Sequence, residues 1–290
     1  MVGMGNVSVV ITSYNQNEMI REAVDSVRRQ TLRPDAIIVV DDGSTDQASV
    51  QVLDELEQAD DITVVRQGNA GPSAARNVGI RAARTDCVTV LDGDDRLLPT
   101  FLETTVGLLD GDASVVAASG WLRTFGVLDA VVKPTGGTIA DFLSRNACPA
   151  TFTFRRTVWE ACGGYDESMR SGFEDWDFCL SLLTAAATAA DTTATGQEPR
   201  IAIAPRAIDR IPHRAGKSEH HQHDHASGND ALSHRQAPCC IRRPSHGCAP
   251  GHRGHVDRPA QPVGAHGPRT PRVAGEPAGF ARLHGLAHIR

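Results

Sequence analysis

Cys87-Val88-Thr89-Val90-Leu91-Asp92-Gly93-Asp94-Asp95 joins an apolar run to a cluster of carboxylates. The apolar part predicts a buried strand, and desolvating an unpaired carboxylate at its end costs several kcal/mol. A divalent cation offsets this cost, because Mg²⁺ and Mn²⁺ suit oxygen ligands and commonly bridge to phosphates. The stretch therefore predicts a metal-held diphosphate, and an acidic turn after a strand is the alternative that the motif alone leaves open.

Three further apolar runs precede this strand, and each also ends in polar residues. Helix-like segments at 17–30, 46–58 and 74–83 follow the runs, which are Val7-Ser8-Val9-Val10-Ile11, Ala36-Ile37-Ile38-Val39-Val40 and Ile62-Thr63-Val64-Val65. Near-continuous apolar strands that alternate with helices predict an α/β fold, with a mostly parallel sheet covered on both faces. Ligands bind beyond the carboxyl ends of the strands in such sheets, where the polar residues of this half lie.

The formal net charge of −6 over 290 residues gives a nucleic-acid partner no electrostatic support. This charge is unevenly distributed, with −12 over residues 1–182 and +6 over residues 183–290. We expect no transmembrane span, because no apolar run is long enough, and no signal peptide at residues 1–6. The first four cysteines lie in apolar or mixed surroundings, which favours reduced thiols. These features predict a cytoplasmic protein.

The regular patterning stops near residue 183. Beyond it Pro, Arg and His are frequent and a single aromatic residue, Phe280, remains, so this segment buries too little apolar surface to offset its ordering entropy. We therefore predict a structured domain over residues 1–183 and a tail of low order over residues 184–290. Three interpretations of the tail stay open: a natural disordered tail, an out-of-frame translation of a G+C-rich gene, and a metal-binding tract at His220, His221, His223 and His225.

Six motifs occur in order along the first part of the chain. They are Val9-Val10-Ile11-Thr12-Ser13-Tyr14-Asn15, Val39-Val40-Asp41-Asp42-Gly43-Ser44-Thr45-Asp46, Gly71-Pro72-Ser73-Ala74-Ala75-Arg76-Asn77-Val78-Gly79, Leu91-Asp92-Gly93-Asp94-Asp95, Gly163-Gly164-Tyr165-Asp166-Glu167 and Glu174-Asp175-Trp176-Asp177. Together they resemble family 2 inverting glycosyltransferases, which have the nucleotide-sugar-binding fold called GT-A. The resemblance covers roughly residues 6–183. The strand and ligand-bearing segment that family members carry after this region could not be placed, and His213 is assigned no role.

The resemblance implies a nucleotide-sugar site at the strand ends. Thr12, Tyr14 and Asn15 would hold the nucleobase and the ribose. Asp41 or Asp42 would bind the base or the ribose, because a carboxylate accepts hydrogen bonds from both.

The resemblance also assigns roles near the diphosphate. Arg76 would reach the nucleotide or order the acidic clusters, and an ordinary ion pair is the alternative. Asp92 would contact the ribose, or the metal through water, and Asp94 would bind the metal directly. The implied cofactor is Mn²⁺ or Mg²⁺, a Lewis acid for the leaving diphosphate.

Asp175 is the general base that the resemblance implies. Transfer with inversion needs a carboxylate that takes the proton of the acceptor hydroxyl as it attacks the anomeric carbon. The alternative is that acids in this first helical turn only complement the helix dipole. The resemblance places Asp166 and Trp176 on the acceptor side, and a core position is the alternative for Trp176.

The implied reaction is transfer of a sugar from a nucleoside-diphosphate sugar, by default a UDP-sugar, to an acceptor hydroxyl. The acceptor would be a cell-envelope glycan or a lipid-linked sugar, and the protein would be cytoplasmic, with peripheral contact at the inner face of the membrane. A nucleotide-sugar-binding pseudoenzyme, disabled by its altered C-terminal segment, is the rival interpretation. A Rossmann dehydrogenase is disfavoured, because Thr12-Ser13-Tyr14-Asn15-Gln16-Asn17 replaces the Gly-x-Gly-x-x-Gly expected after the first strand.

Overall fold

The computed structural model describes residues 5–189 and 197–213, which form nine strands of one sheet and seven α-helices. The strands are β1 (Val7–Ser13), β2 (Ala36–Asp41), β3 (Ile62–Arg66), β4 (Cys87–Asp92), β5 (Arg96–Leu97), β6 (Val115–Gly126), β7 (Val131–Val132), β8 (Phe152–Arg155) and β9 (Arg200–His213). The helices are α1 (Glu18–Arg28), α2 (Gln47–Glu57), α3 (Pro72–Ala82), α4 (Phe101–Gly111), α5 (Ile139–Phe142), α6 (Arg156–Cys162) and α7 (Glu174–Ala189). None of the described helices is long and apolar enough to cross a membrane.

The first four strands pair in parallel in the order β3-β2-β1-β4, so their carboxyl ends meet at one edge. In the register of this sheet Thr12 lies opposite Asp92 and Ser13 lies opposite Asp41. The predicted α/β class is therefore confirmed, together with the meeting of polar strand ends. Parallel pairing does not extend through the whole sheet, because β8 runs antiparallel to β4 and β6, and β5 and β7 also pair antiparallel. Strand β7 follows β6 through a short turn, whereas β8 and β5 pair with strands that are distant in the sequence, and the sequence pattern of the first half did not indicate these pairings.

Successive residues of the central strands point into two separate hydrophobic cores. Val9 packs into the core beneath α1, α2 and α4, whereas Val10 packs into the core that holds α3, α5 and α7. Helix α3 lies very close to the sheet, because a Cβ on Gly79 would come within 2.2 Å of the Val10 side chain. A side chain at this glycine would push α3, and the site residues that it carries, away from the strand ends.

Strand β9 lies beyond the boundary predicted at residue 183. It pairs in parallel with β6 and antiparallel with β5, and its residues Ile201, Ala202, Ala204 and Ile208 are buried. The domain therefore gains a strand from the segment that the sequence analysis assigned to the tail, and the buried side chains of this strand pack into both cores. The remainder of the predicted tail, residues 190–196 and 214–290, lies outside the described residues, and so do the three alternatives proposed for it.

Local sequence accounts for several other details. Asp46 caps α2, since its carboxylate accepts a hydrogen bond from the backbone N–H of Ser49 at 3.0 Å. Cys87, Cys148, Cys162 and Cys179 are free thiols, as expected.

Candidate active site

The loop after β4 is fixed by a close approach to the end of β1. The backbone N–H of Gly93 donates to the carbonyl of Thr12 at 2.9 Å, and a Cβ on Gly93 would lie 2.7 Å from the same oxygen. Only glycine therefore allows the two strand ends to approach in this way. The approach also brings the Thr12 hydroxyl within 3.3 Å of the Asp92 carboxylate.

Arg76 of α3 joins this loop to the N-terminus of α7. One guanidinium nitrogen donates to Asp92 and another to Glu174, each at 2.8 Å, and the Arg76 side chain is only 2% exposed. Burial lowers the pKa of Arg76, but the nearby acids, Asp92 first, outweigh burial and hold the pKa well above its usual value. These ion pairs fit both the expected ordering of the acidic groups and the ordinary ion pair that was its alternative. A direct contact with a nucleotide stays a prediction.

Asp175 lies next to Glu174 in the first turn of α7. The chain enters this helix through Gly172 and Phe173, both in the left-handed region with φ of 95° and 66°. The side-chain amide of Asn146 donates to the Asp175 carboxylate at 2.9 Å, and Asn146 is itself buried. Asn146 was not identified from the sequence, because it stands in no motif and its partner is 29 residues away.

Tyr14 and Asn15 occupy different positions after β1. Tyr14 is 46% exposed, so its ring is accessible at the strand edge. The Asn15 side chain instead accepts hydrogen bonds from the backbone N–H groups of Thr45 and Asp46, at 2.9 and 3.0 Å. Asn15 thus holds the loop between β2 and α2, and any contact that it makes with a nucleotide stays a prediction.

Asp41 and Asp42 are both buried, and each organises a loop. Asp42 accepts hydrogen bonds from the Gln67 side chain at 2.7 Å and from the backbone N–H groups of Ala70 and Gly71 at 2.8 Å. Asp41 accepts one from the backbone N–H of Ser44 at 3.0 Å. Asp42 therefore fixes the loop that leads into α3. The Asp41 carboxylate accepts fewer hydrogen bonds from the protein, so of the two acids Asp41 remains the predicted nucleotide contact.

The two remaining acids of the β4 loop differ in burial. Asp94 is half-buried at the strand edge, whereas Asp95 is buried and accepts a hydrogen bond from the Thr151 hydroxyl at 3.5 Å. Asp95 does not cap α4, because that helix begins at Phe101 after Thr100.

A further buried carboxyl group, Asp209 of β9, lies beneath this loop. Burial raises the pKa of Asp209 to about 7, and the charge of Asp92 adds to this effect, against hydrogen bonds from the Arg210 backbone and from Thr151. One Asp209 oxygen is buried without a hydrogen-bond partner in the described part of the chain. Asp209 was not identified from the sequence, since it belongs to the segment assigned to the tail.

The donor set suits a metal that is shared with a substrate. Within residues 5–189 and 197–213, no group of three or more His, Cys, Asp or Glu side chains is arranged to hold an ion. Mg²⁺ is commonly bound through one or two carboxylates and the phosphates of a substrate, without a complete protein cage. Asp92 and Asp94, separated by one glycine at the strand edge, fit that mode of binding.

The two residues expected on the acceptor side lie in different surroundings. Asp166 is exposed, and its carboxylate accepts hydrogen bonds from the backbone and the hydroxyl of Ser168 at 2.9 and 2.7 Å. The Trp176 indole donates to the carbonyl of Phe142 at 2.8 Å and packs partly buried against the core. Trp176 thus has the core contacts of the alternative interpretation, and its contact with an acceptor stays a prediction.

Comparison with known proteins gives a consistent result. Residues 8–160 match the family model described as glycosyl transferase family 2. The uncharacterized glycosyltransferase YwdF of Bacillus subtilis is 29% identical over 185 residues, which cover 60% of this chain and 66% of YwdF. The uncharacterized glycosyltransferase EpsJ of Bacillus subtilis is 42% identical over 89 residues, which cover 31% of this chain and 26% of EpsJ.

Solved structures show the same fold. The crystal structure of Staphylococcus aureus TarS 1–349 in complex with UDP aligns with a TM-score of 0.56 at 21% identity. The alignment covers 71% of this chain and 60% of TarS 1–349. The chain thus spans a quarter to two thirds of the length of these relatives, and the likeness to TarS concerns the fold.

Proposed function

The chain belongs to glycosyl transferase family 2, and from this premise we propose that it transfers a sugar from a nucleoside-diphosphate sugar to an acceptor hydroxyl. The observation that carries the proposal is the bridge made by Arg76, which bonds to Asp92 and Glu174. This bridge couples the end of β4, where a diphosphate would bind, to the helix turn that contains Asp175. This connection supports a donor site that lies next to the proposed base.

In the proposed reaction, Asp175 takes the proton of the acceptor hydroxyl while the hydroxyl oxygen attacks the anomeric carbon from the side opposite the diphosphate. The bond between the anomeric carbon and the diphosphate oxygen breaks, so the configuration inverts. Asn146 orients Asp175 through its 2.9 Å hydrogen bond. Asp94 and Asp92 would hold a divalent metal, which supplies Lewis-acid stabilisation of charge on the leaving diphosphate.

UDP is the nucleotide that we propose for the donor. TarS 1–349, which shares the fold, was solved in complex with UDP. The exposed ring of Tyr14 at the strand edge suits stacking on a base, and Asp41 suits hydrogen bonding to it. A glycan or lipid-linked acceptor, a role in cell-surface glycan synthesis and a cytoplasmic location complete the proposal.

The test is release of UDP by the full chain from a panel of UDP-sugars with Mn²⁺, with Asp175→Asn as the decisive variant. We expect this variant to bind UDP normally and to lose roughly 10²–10⁴-fold in turnover, the usual range for acid–base catalysis. Asp177→Asn is the matched control, since it removes the same charge from the same helical turn, and it should keep most of the turnover.

Three outcomes would contradict the proposal. Turnover of Asp175→Asn at the parent rate would exclude Asp175 as the base. UDP binding without turnover of any donor by the parent chain would favour the pseudoenzyme interpretation. If the parent chain binds no nucleoside diphosphate, the assignment of a nucleotide-sugar site is itself wrong.

A further inference from the structure

Basic side chains line one face of the sheet where β5, β6, β7 and β9 pair. Val131 lies opposite Arg123, Arg123 lies opposite Arg210, and Arg210 lies opposite Arg96. Residues directly opposite each other on paired strands share a face. Three arginines from three strands therefore stand in one row, which together with Lys133 we call the basic face.

Aromatic rings separate these cations. The guanidinium carbons of Arg96 and Arg210 lie 4.5 and 5.0 Å from the centre of the Phe125 ring. The Lys133 ammonium lies 4.6 Å from the centre of the Trp121 ring. Cation–π contacts stabilise the positive groups on this face, which lack a full set of acidic partners.

The basic face carries an excess of positive charge. Arg123 pairs with Asp129 and Arg96 pairs with Glu22, whereas Arg210 and Lys133 form no salt bridge within the residues that the structure describes. The charge of Arg210 acts on Asp129 without such a contact. The Arg210 Nε is buried and has no acceptor among the described residues. Burial and the charge of Arg210 lower the pKa of Arg96. Residues 1–182 carry −12 in total, so the sign of this face is opposite to that of the domain around it.

Exposed aliphatic side chains stand at the turn beside the basic face. The turn connects β6 to β7 and carries Val127 and Leu128, which are 68% and 49% exposed, and Val131 at the start of β7 is 46% exposed. Asp129 lies in the same turn and pairs with Arg123. We call the three aliphatic residues the hairpin tip. Exposed aliphatic side chains at a turn, with cations on the adjoining strands, match the composition of surfaces that bind at a lipid interface.

We propose that the basic face and the hairpin tip dock the protein on an anionic lipid surface. The cations would contact the headgroup phosphates, and the tip residues would enter the acyl boundary. An acidic glycan would satisfy the cations equally well, but it would give the aliphatic tip no apolar environment. Lipid is therefore the partner that accounts for both features. The inference is independent of the proposed sugar transfer, because it needs neither donor nor turnover.

The experiment is co-sedimentation of the full chain with phosphatidylcholine vesicles that contain or lack phosphatidylglycerol. We expect binding only to the anionic vesicles, weakening with salt. Each positive charge near such a membrane contributes about fivefold in partitioning, so Lys133→Glu should reduce binding by roughly 25-fold. Leu128→Asp should also reduce it. The matched controls are Arg33→Glu and Leu143→Asp, which alter exposed residues outside the basic face and the tip and should bind like the parent.

Circular dichroism of each variant ensures that a loss of binding is not a loss of fold. Equal binding to neutral and anionic vesicles would overturn the proposal, as would equal losses in the variants and their controls. Absence of vesicle binding, together with Lys133-dependent binding to a soluble acidic polysaccharide, would reassign the face to an anionic glycan and overturn it as well.

Discussion

Replacement of Arg76 by Met should destabilise the protein severely, because it leaves Glu174 without the partner that compensates its burial. The Arg76 and Glu174 side chains are 2% and 5% exposed, and 2.8 Å separates their paired atoms. Removing one member of a buried ion pair typically costs about 3–5 kcal/mol. Asp92 adds little to this cost, because its side chain is 22% exposed and water can solvate it. We therefore expect about 3–5 kcal/mol of lost unfolding free energy in urea titrations of the full chain.

Two further variants distinguish the cost of a buried unpaired charge from the cost of lost side-chain packing. Glu174→Gln combined with Arg76→Met removes the orphaned carboxylate, so the double variant should recover much of the loss. Arg81→Met on the same helix breaks an exposed pair with Glu167 and should cost no more than about 1 kcal/mol. A loss below about 1 kcal/mol for Arg76→Met, or a double variant less stable than Arg76→Met alone, would refute this account of the bridge.

The remaining predictions concern the metal, the base and the carboxyl group beneath the loop. Asp94→Ala should abolish the Mn²⁺ dependence of UDP binding in calorimetric titrations, and Asp95→Ala should have a smaller effect; a parent chain indifferent to Mn²⁺ would rule this out. Asn146→Ala should lower turnover less than Asp175→Asn does, with unchanged UDP affinity, and an unchanged turnover would show that the hydrogen bond does not orient the base. Asp209 has a folded-state pKa of about 7, above its ordinary value of 3.8, so the folded protein retains a proton that the unfolded chain loses in this range. The free energy of unfolding should therefore fall progressively as pH rises from about 4 to 7, because Asp209 loses its proton on unfolding. The loss is about 1.4 kcal/mol for each unit of difference between the folded and unfolded pKa of Asp209. Asp209→Asn should flatten that part of the stability profile in denaturant titrations, and an unchanged slope would contradict it.

The sequence predicted the part of the fold that depends on local pattern. Residues 17–30 carry apolar side chains at helical spacing, and α1 buries Ile20, Ala23, Val24 and Val27 from that set. The strand ends with Thr12, Asp41 and Asp92 also lie together as expected, because parallel strands bring their carboxyl ends to one edge.

Interactions between distant segments could not be predicted in the same way. Arg76 contacts Glu174 across 98 residues, and Asn146 contacts Asp175 across 29, so neither partner is indicated by periodicity. Asp42 followed the expected motif, yet its carboxylate binds the loop between β3 and α3, because Gln67, Ala70 and Gly71 of that loop supply three donors. Strand β9 was not placed because Ile201-Ala202-Ile203-Ala204 is a short strand-like piece in a segment that is otherwise rich in Pro, Arg and His and lacks regular patterning.

Late pairing of β9 has a consequence for synthesis on the ribosome. Arg96 of β5 lies opposite Arg210 of β9, 114 residues later in the chain. At a translation rate of about 5–20 residues per second, β5 waits for roughly 6–23 s before its partner emerges, and the adjoining edge of β6 waits for roughly 4–17 s. During this interval the nascent chain exposes an incomplete sheet, a template for association with other chains. Slower elongation between codons 97 and 200 would prolong this exposure, so codon usage over that stretch should influence the yield of native protein.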